Sequence, residues 1–587
     1  MTSEALLSEL LDAGLQLWAE DDQLCFRGPK SVLTPERRSA LKEAKPELIG
    51  LLGQHRKHAP VSAGQRRLYF LDRFSPGSPL YHIPCFWSLS GPVDPSLIEK
   101  AIQTIVDRHE SLRTSFRELG GNVYQVVQLE QKIPLEIIPS ESATAFTRRW
   151  MQAPLDLTSG PVFRAALLPV SEAESLLALL IHHSVFDGRS TEIFRDEFGQ
   201  ALDALSKGTA VKLPKLISSC SDLAARRPDK DAIAEAQHDL DYWLDRLAGE
   251  LPETQLPTDF PRPPVRSHHG ERFSIPLPKD LAERLIRLGE GEGATLFMTG
   301  LAAFAALLER YGANGESVIG TPVSGRPSAE SNALIGFFVN TLVLRLDSSG
   351  DPTFKSMLER VRQSTLKDFA HQQTPFERLV EELKPTRDPG RSPLFQVMFS
   401  VQARIPDLMA GGLTVGILPI RPETAKFDLW LSLAETREGW QITLEFSKDL
   451  FSRETAERIA GHYLRILTSV AEAPGKKLSQ FEILDDQERS SLIEWSRAEG
   501  DYPRDLSIPD IFEQQVARTP HATAILHVDR QLDYQTLNDQ ADRLARRIID
   551  TGLHRFGIIA ILTNRSIESV TAILAVLKAG AAYLPLD

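Results

Sequence analysis

The chain has 587 residues, a hydrophobic fraction of 42%, a charged fraction of 25% and a formal net charge of −13. This length is too great for a single hydrophobic core, so we expect three or four domains of ordinary globular composition. The acidic balance argues against a nucleic-acid binder, whose surface would carry a basic patch.

The cysteines and the first residues indicate where the protein works. Cys25, Cys85 and Cys220 are scattered without a CxxC spacing, so neither a disulfide framework nor a thiolate metal site is expected. The N-terminus carries an acid where a signal peptide needs basic residues, and no apolar run reaches the ~18 residues of a membrane helix. These features predict a soluble cytoplasmic protein.

Residues 1–53 are predicted to form a small αββα unit. Each boundary has a local signal: a helix cap, a glycine that ends the first helix, a hairpin turn, and a second cap followed by proline. In chain order these signals are Ser3, Gly14, Asp21-Asp22 and Thr34-Pro35. Residues 55–60 are interpreted as a linker.

Such a unit, placed ahead of everything else, is expected to bind a partner; the alternative is a plain extension of the next domain. The αββα order resembles the N-terminal docking domains of hybrid peptide–polyketide synthetases of the tubulysin type. The resemblance implies that residues 1–53 capture the C-terminal tail of an upstream synthetase subunit. The tail would add as a strand to the exposed edge of the hairpin.

Residues 61–480 alternate apolar strands with amphipathic helices and should divide into two lobes, 61–235 and 236–480, because ~420 residues exceed a single core. A buried strand is predicted at residues 176–181. Directly after it stands the run His182-His183-Ser184-Val185-Phe186-Asp187-Gly188.

This histidine motif has the residue types that acyl transfer needs. A histidine can take or steer a proton, a glycine lets a backbone N–H approach the substrate, and an aspartate can hold the loop by pairing with a cation. Paired histidines at the end of a strand are nevertheless more often structural or metal-binding than catalytic. Further motifs have to decide between these interpretations.

Seven motifs occur in order between residues 62 and 395, and together they resemble the core regions of the condensation domain of nonribosomal peptide synthetases. They are 62–71 (SAGQRRLYFL), 108–116 (RHESLRTSF), 182–188 (HHSVFDG), 241–243 (DYW), 335–341 (IGFFVNT), 371–377 (HQQTPFE) and 387–395 (RDPGRSPLF). The resemblance implies an α/β fold of two chloramphenicol-acetyltransferase-like lobes in a V. A tunnel open on both faces would hold the histidine motif at the seam.

The resemblance also implies the reaction. An acceptor α-amine attacks a donor thioester, and both substrates arrive on the phosphopantetheine arms of carrier domains, so no cofactor is expected on this chain itself. The implied catalytic set is His183, His182, Asp187 and Gly188. His183 either removes a proton from the amine or holds the amine in line, and the sequence leaves both roles open. His182 is expected to shape the motif.

The remaining roles follow from the same resemblance. Asp187 is expected to pair with an arginine across the fold, and we predict Arg67 as that partner. Gly188 can offer its N–H to the developing oxyanion, and Asn340 is expected to line the tunnel. Arg189 replaces the tryptophan of many relatives, a change that we expect to affect lobe packing or the acceptor entrance.

Related domains of the same synthetases differ at these motifs. Heterocyclisation domains replace the histidines with aspartates, and epimerisation domains usually lack Phe-Val-Asn-Thr, which stands here at residues 338–341. Amide formation is therefore the predicted activity. The alternative is a non-catalytic platform that recruits carriers or a tailoring enzyme, or an inactive fragment. The donor, the acceptor and the donor stereochemistry stay open.

Residues 502–587 resemble the start of an adenylation domain, through 532–538 (LDYQTLN) and 574–587 (LAVLKAGAAYLPLD), after a linker predicted at 471–501. The phosphate loop, the acidic metal ligand and the catalytic lysine of that family would lie further on, so we expect no amino-acid activation. The apolar strand near residues 558–562 is expected to lack sheet partners, to expose apolar surface and to be poorly stable. A fragment and a naturally short protein both fit.

Overall fold

The computed structural model describes residues 2–138, 142–254, 256–386, 388–497, 500 and 502–586, the side chains of Lys30 and Phe556 excepted. Arg387, with which the seventh motif begins, Asp501 at the end of the predicted linker and Asp587 lie outside the described residues. The chain divides into two units, Met1–Leu484 and Asp485–Asp587.

The first unit begins with the predicted docking segment and continues into the first lobe. Its elements are α1 (Ser3–Asp12), β1 (Gln16–Glu20), β2 (Gln23–Arg27), α2 (Pro35–Glu43), α3 (Lys45–Leu52), β3 (Arg56–Pro60), α4 (Ala63–Phe74), β4 (His82–Ser90), α5 (Pro95–Arg108), β5 (Thr114–Leu119), β6 (Asn122–Gln128), β7 (Leu135–Ile137), α6 (Ala143–Met151), β8 (Phe163–Pro169), β9 (Glu174–His182), α7 (Gly188–Ser206), α8 (Cys220–Ala225) and α9 (Lys230–Arg246).

The rest of the first unit contains β10 (Gly270–Pro276), α10 (Lys279–Gly291), α11 (Leu296–Arg310), β11 (Glu316–Val323), α12 (Ala329–Asn332), β12 (Asn340–Asp347), α13 (Phe354–Ala370), α14 (Phe376–Leu383), β13 (Val397–Gln402), β14 (Leu408–Ala410), β15 (Leu413–Ile417), β16 (Leu429–Thr436), β17 (Gly439–Ser447) and α15 (Arg453–Glu472).

The docking segment matches its prediction except at two boundaries. Thr2, not Ser3, caps α1, because its hydroxyl oxygen accepts from the Ala5 N–H at 3.2 Å. Asp21 and Asp22 both have positive φ, 46° and 59°, as a two-residue type I′ hairpin turn requires. The predicted second helix is two helices, because Pro46 cannot continue α2 and instead stands in the first turn of α3.

The predicted linker at residues 55–60 is wrong, because this stretch forms strand β3. β3 pairs with β1 on one side, Leu17 opposite His58, and with β6 on the other, His58 opposite Val126. The result is one five-stranded sheet in the order β2-β1-β3-β6-β5. The docking segment therefore shares a sheet with the first lobe, and its hairpin offers only β2 as an edge strand on that side.

Two six-stranded sheets confirm the predicted α/β pair of lobes. Their orders are β14-β15-β4-β9-β8-β7 and β10-β17-β16-β13-β11-β12. One strand crosses between the lobes: β15 comes after the strands of the second lobe begin, yet it pairs with β4 in the sheet of the first lobe, Val415 opposite Leu89. The predicted division at 235/236 falls inside α9.

The predicted linker before the last segment starts too early. α15 runs to Glu472, Lys477 bridges to Thr353, and Leu478 and Phe481 are buried in the core of the second lobe. The chain is thus packed against the second lobe up to the end of the first unit at Leu484.

The second unit, described by itself, contains α16 (Asp486–Ser496), α17 (Ile508–Arg518), β18 (Thr523–His527), β19 (Arg530–Asp533), α18 (Tyr534–Asp550), β20 (Ile558–Leu562), α19 (Ile567–Lys578) and β21 (Ala582–Leu586). β20 pairs in parallel with β21, which corrects the expectation that residues 558–562 lack a partner. Ile558 is 64% exposed and Leu562 75%, so the predicted apolar exposure is confirmed. Low stability stays a prediction.

Among the described residues, no single helix is long and apolar enough to cross a membrane. α10 and α11 meet those limits only as a pair bent by 102°, on length and composition alone; most of α11 is buried in the core of the second lobe.

Candidate active site

The histidine motif links a buried strand to a long helix. β9 is buried from Ser175 to His182 and pairs with β4. A short 3-10 turn, His183–Val185, follows, and the 19-residue helix α7 begins at Gly188. Asp187 caps this helix, with Oδ1 accepting from the Ser190 N–H at 2.9 Å. Gly188 therefore lies in the first helical turn, where backbone N–H groups lack partners within the helix.

His183 has a defined tautomer. Its Nδ1 lies 2.7 Å from the carbonyl oxygen of Phe186. A carbonyl oxygen can only accept, so Nδ1 carries the proton and Nε2 keeps a free lone pair. The ring also meets Phe337 edge-on at a centroid distance of 5.1 Å. Burial, and next the charge of Lys426, lower the pKa of His183 to about 3, so the imidazole is neutral at physiological pH.

His182 is held inside the fold. Its side chain is 1% exposed, and its Nδ1 accepts from the Ser184 N–H at 3.1 Å and lies 2.8 Å from the Ser184 hydroxyl. Burial, together with the charges of His82 and His183, lowers its pKa to about 3. These contacts support the interpretation that His182 shapes the loop.

Asp187 pairs with Arg326, and the prediction that Arg67 would be its partner is wrong. Arg326 Nη2 lies 2.8 Å from Oδ1 and 3.0 Å from Oδ2 of Asp187, with both side chains almost fully buried. The Phe338 N–H donates to Oδ2 at 3.0 Å. Arg326 also donates to the carbonyl of Leu334 at 2.7 Å and lies over the ring of Phe338. The aspartate thus joins the histidine loop to the second lobe.

A glycine allows this arginine to reach the loop. Gly325, directly before Arg326, has φ +61°, and a Cβ there would lie 1.9 Å from the Phe338 carbonyl oxygen. Only glycine tolerates both the backbone conformation and the close approach.

Arg67 serves a different contact. Its guanidinium pairs with Glu377 at 3.0 Å and lies 5.5 Å from the centre of the Phe376 ring. Burial would lower the pKa of Arg67, but the Tyr81 hydroxyl and Glu377 outweigh burial and raise it. Arg67 is therefore a fixed cation that joins α4 of the first lobe to α14 of the second.

The second-lobe loop at 335–340 is fastened by two other motifs, 108–116 and 371–377, and by Ser190, which follows the histidine motif. Ser111 donates to the Ile335 carbonyl at 2.7 Å, and Ser190 accepts from the Gly336 N–H at 3.0 Å. Asn340 donates to the carbonyls of Gln372 and Thr374 and accepts from the Phe376 N–H. The motifs far apart in sequence thus position one loop, which carries Phe337 against His183.

A cavity of about 710 Å³ lies between the lobes. His183, Gly188, Arg67 and Asn340, all predicted site residues, are among its lining residues. Its walls are mainly apolar, and the larger side chains are Phe297, Met298, Phe369, Met398, Phe427 and Trp430. The described lining does not include Asp187 or His182, so these two residues support the site without lining the cavity.

Sequence reasoning missed Arg326 and Lys426. Arg326 stands 139 positions after Asp187, and its only local signal is the turn Ser324-Gly325-Arg326-Pro327 after the apolar strand β11. Lys426 lines the cavity close enough to His183 to act on its charge. Nothing in its neighbourhood in sequence separates it from a surface lysine.

Arg189 lies partly exposed in the first turn of α7. It forms an ion pair with Glu192, one turn further along α7, and both side chains are about 40% exposed. The expectation that this departure from tryptophan affects lobe packing or the acceptor entrance stays a prediction.

Comparison with known proteins decides the family. The model "Condensation domain" matches residues 55–493, "TubC N-terminal docking domain" matches residues 4–54, and "AMP-binding enzyme" matches residues 512–587. The chain belongs to the condensation-domain family. The docking and AMP-binding matches agree with the two flanking segments recognised from the sequence.

Relatives of this condensation-domain chain are large synthetases. Surfactin synthase subunit 1 of Bacillus subtilis (strain 168) is 36% identical over 550 residues, which cover 93% of this chain and 15% of the relative. Bacitracin synthase 2 of Bacillus licheniformis is 31% identical over 601 residues, 99% of this chain and 23% of the relative. The chain thus spans a small part of the length of these relatives.

Solved structures share the fold. The X-domain in the complex of the X-domain and OxyB from teicoplanin biosynthesis has a TM-score of 0.66 and 29% identity, covering 73% of this chain and 96% of that chain. The four-domain nonribosomal peptide synthetase AB3403 has a TM-score of 0.72 and 22% identity, covering 90% of this chain and 42% of that chain. The second likeness supports the fold alone.

Proposed function

We propose that this condensation domain forms an amide between a donor acyl or peptidyl thioester and an acceptor aminoacyl thioester, both carried on phosphopantetheine arms of carrier domains. One observation carries the proposal: His183, whose Nδ1 is occupied by the Phe186 carbonyl so that Nε2 is the nitrogen left to accept, lines a cavity between two lobes together with Gly188 in the first turn of α7. Residues of both lobes line this space, as a reaction between two substrates requires.

The proposed reaction forms one bond and breaks one. The acceptor nitrogen attacks the thioester carbonyl carbon, the carbon–sulfur bond breaks, and the donor carrier leaves as a free thiol. The proton lost by the amine ends on the sulfur. The net reaction needs no metal or redox partner.

The environment of His183 favours the positioning role over that of a general base. An α-ammonium has a reference pKa near ~8, whereas the pKa of His183 is about 3. Moving a proton from the former to the latter is uphill by about 7 kcal/mol. A neutral Nε2 can instead accept a hydrogen bond from the amine and align its lone pair, and positioning can supply up to ~7–11 kcal/mol.

The docking segment is proposed to receive the C-terminal tail of an upstream synthetase chain at β2. β2 is an edge strand of the five-stranded sheet, because it pairs with β1, and β1 pairs on its other side with β3. Phe26 on β2 is 49% exposed and offers an apolar contact. An added strand would satisfy the outward-facing N–H and C=O groups of β2.

Cys25, Cys85 and Cys220 are free, which agrees with the proposed cytoplasmic location.

A second candidate function is a platform that binds another protein. It is favoured by the likeness to an X-domain described in complex with OxyB. This function would need the lobes but not the lone pair of His183.

The test is to incubate the whole chain with a donor acyl-carrier and an acceptor aminoacyl-carrier and to weigh the acceptor carrier intact by mass spectrometry. Amide formation adds the mass of the donor acyl group to the acceptor carrier. If no donor among a panel is transferred while both carriers bind, the condensation proposal fails and the platform is favoured.

A further inference from the structure

The cavity contains a cation with no assigned role. Lys426 lines it together with His183. Its ammonium lies 5.3 Å from the centre of the Tyr81 ring, a cation–π contact with the first lobe. Among the described residues, no oxygen atom accepts a hydrogen bond from its Nζ. An ammonium beside a substrate cavity with three unused donors is poised for an acceptor on a ligand.

The backbone around Lys426 is fixed on both sides. The Ala425 N–H donates to the His268 carbonyl at 2.9 Å, and Asp428 pairs with Arg262, whose Nη1 lies 3.1 Å from Oδ1. Arg266 donates to the carbonyl of Lys426 itself. The backbone that carries the lysine is therefore held in place before a substrate arrives, and the ring of Tyr81 is the contact of its ammonium. A donor placed in advance needs little reorganisation at the moment of reaction.

The charge of Lys426 acts electrostatically on His183. After burial, Lys426 is the largest cause of the lowered pKa of His183, ahead of Arg67. Because both side chains line the cavity, an atom bound next to His183 Nε2 also lies in the field of the ammonium.

The thioester carbonyl oxygen is the acceptor that best fits this position. It is neutral in the substrate and gains negative charge when the amine attacks, so a cation aimed at it stabilises the transition state more than the substrate. Neither thioester keeps a free carboxylate, and the phosphate of each phosphopantetheine arm stands at the opposite end of the arm from the thioester. The developing oxyanion is therefore the anionic group that every substrate pair shares at the reacting carbon. When the intermediate collapses, a lone pair of the oxyanion re-forms the carbonyl of the amide, and the pair of the carbon–sulfur bond leaves with the sulfur, which takes up the proton lost by the amine.

We propose that Lys426 donates a hydrogen bond to the donor thioester oxygen as it becomes an oxyanion. This inference rests on the proposed condensation function. The Gly188 N–H at the start of α7, on the first-lobe side of the same cavity, is a second donor for the same oxygen.

The charge state of Lys426 gives the proposal a pH signature. Burial lowers its pKa to about 8, Glu445 opposes this effect, and Arg272 and Arg67 add to it. The neutral His183 and the ring of Tyr81 are its other neighbours. Lys426 is charged below about pH 8 and loses its charge above it, so its contribution should disappear on the alkaline side.

The experiment compares single-turnover amide formation by the wild type, Lys426→Met and Lys426→Arg, with the exposed Lys448→Met as matched control. We expect Lys426→Met to slow the reaction by about 10²–10³-fold, the usual effect of losing one oxyanion donor. Lys448→Met should react at the wild-type rate. Thermal melting and carrier binding should be unchanged, which separates a chemical defect from a folding defect.

The arginine variant tests the role even if the methionine variant folds poorly. The wild-type rate should fall above about pH 8. Lys426→Arg should keep its rate, because a guanidinium stays charged. A Lys426→Met enzyme as fast as the wild type, or identical pH profiles for wild type and Lys426→Arg, would overturn the proposal. Failure of the wild type to form any amide would instead contradict the condensation function.

Discussion

At the residue scale, the ion pair of Asp187 and Arg326 determines the geometry of the histidine loop. The aspartate caps α7, accepts from the Phe338 N–H and receives the guanidinium of Arg326. Both charged side chains are nearly inaccessible, at 0% and 3% exposure. Removing either partner would leave the other charge buried and uncompensated, which is the costly way to break such a pair.

We therefore predict that Asp187→Ala lowers the free energy of unfolding of the first unit by about 3–5 kcal/mol. Arg67→Ala should cost about 0–1 kcal/mol, because its pair with Glu377 is partly exposed. Chemical denaturation of both variants checks this. Equal losses of stability would mean that the Asp187–Arg326 pair does not hold the loop.

The sequence predicts the residues whose neighbours in sequence define them. His183, Asp187 and Gly188 lie in one run, between a buried strand and a helix, and the structure places them where that pattern indicates. Arg326 and Lys426 could not be predicted, because their partners come from a different lobe and are 139 and more than 200 positions away. The wrong pairing of Arg67 with Asp187 has the same cause.

At the scale of elements, strand β2 is the free edge of the docking sheet. In a hairpin with a two-residue turn, Glu20 and Gln23 form a hydrogen-bonded pair, and the pairs alternate from there along the ladder. Phe26 therefore points its N–H and C=O away from β1. A partner strand would pair with these outward groups.

We predict that Phe26→Pro weakens capture of an upstream C-terminal tail peptide at least about tenfold, because proline removes one outward N–H from the edge. Phe26→Val keeps the N–H and the β propensity and serves as the matched control. Fluorescence anisotropy of a labelled tail peptide gives the two affinities. Equal weakening by both variants would show that the side chain, not strand addition, binds the tail.

The elements also show where local signals fail. The hairpin turn and the cap at Thr34 are predicted correctly because turn and cap chemistry lies in adjacent residues. Strand β3 resembles a linker in sequence because Arg56-Lys57-His58-Ala59-Pro60 is polar and has no strand pattern. Its place in the sheet comes from pairing with both β1 and β6, which no local signal records.

At the scale of the whole molecule, the first unit buries histidines in their neutral form. Burial is the main cause of a pKa lowered to about 4 for His58 and to about 3 for His182 and His183. In the unfolded chain the same residues titrate near ~6.5. The unfolded state thus binds more protons below that pH, and stability falls as the pH decreases from about 6.5 toward the folded pKa values.

We predict that taking the pH from 7 to 5 lowers the free energy of unfolding of the first unit by about 2 kcal/mol for each of these histidines. His58→Gln should reduce this loss by about 2 kcal/mol, the contribution of one histidine. The exposed His269→Gln should leave it unchanged. Urea denaturation at the two pH values measures the difference, and a loss unaffected by His58→Gln would show that His58 does not contribute.

The two lobes meet around one cavity, and the central claim is that His183 uses its Nε2 there to place the acceptor amine. The most direct measurement is the single-turnover rate of amide formation, followed by the intact mass of the acceptor carrier, for wild type and His183→Gln. His269→Gln, the same substitution at an exposed histidine outside the described cavity lining, is the control.

The account predicts a rate at least about 10²-fold lower for His183→Gln, with unchanged melting temperature and carrier binding, and a wild-type rate for His269→Gln. A His183→Gln enzyme that transfers the acyl group as fast as the wild type would contradict it.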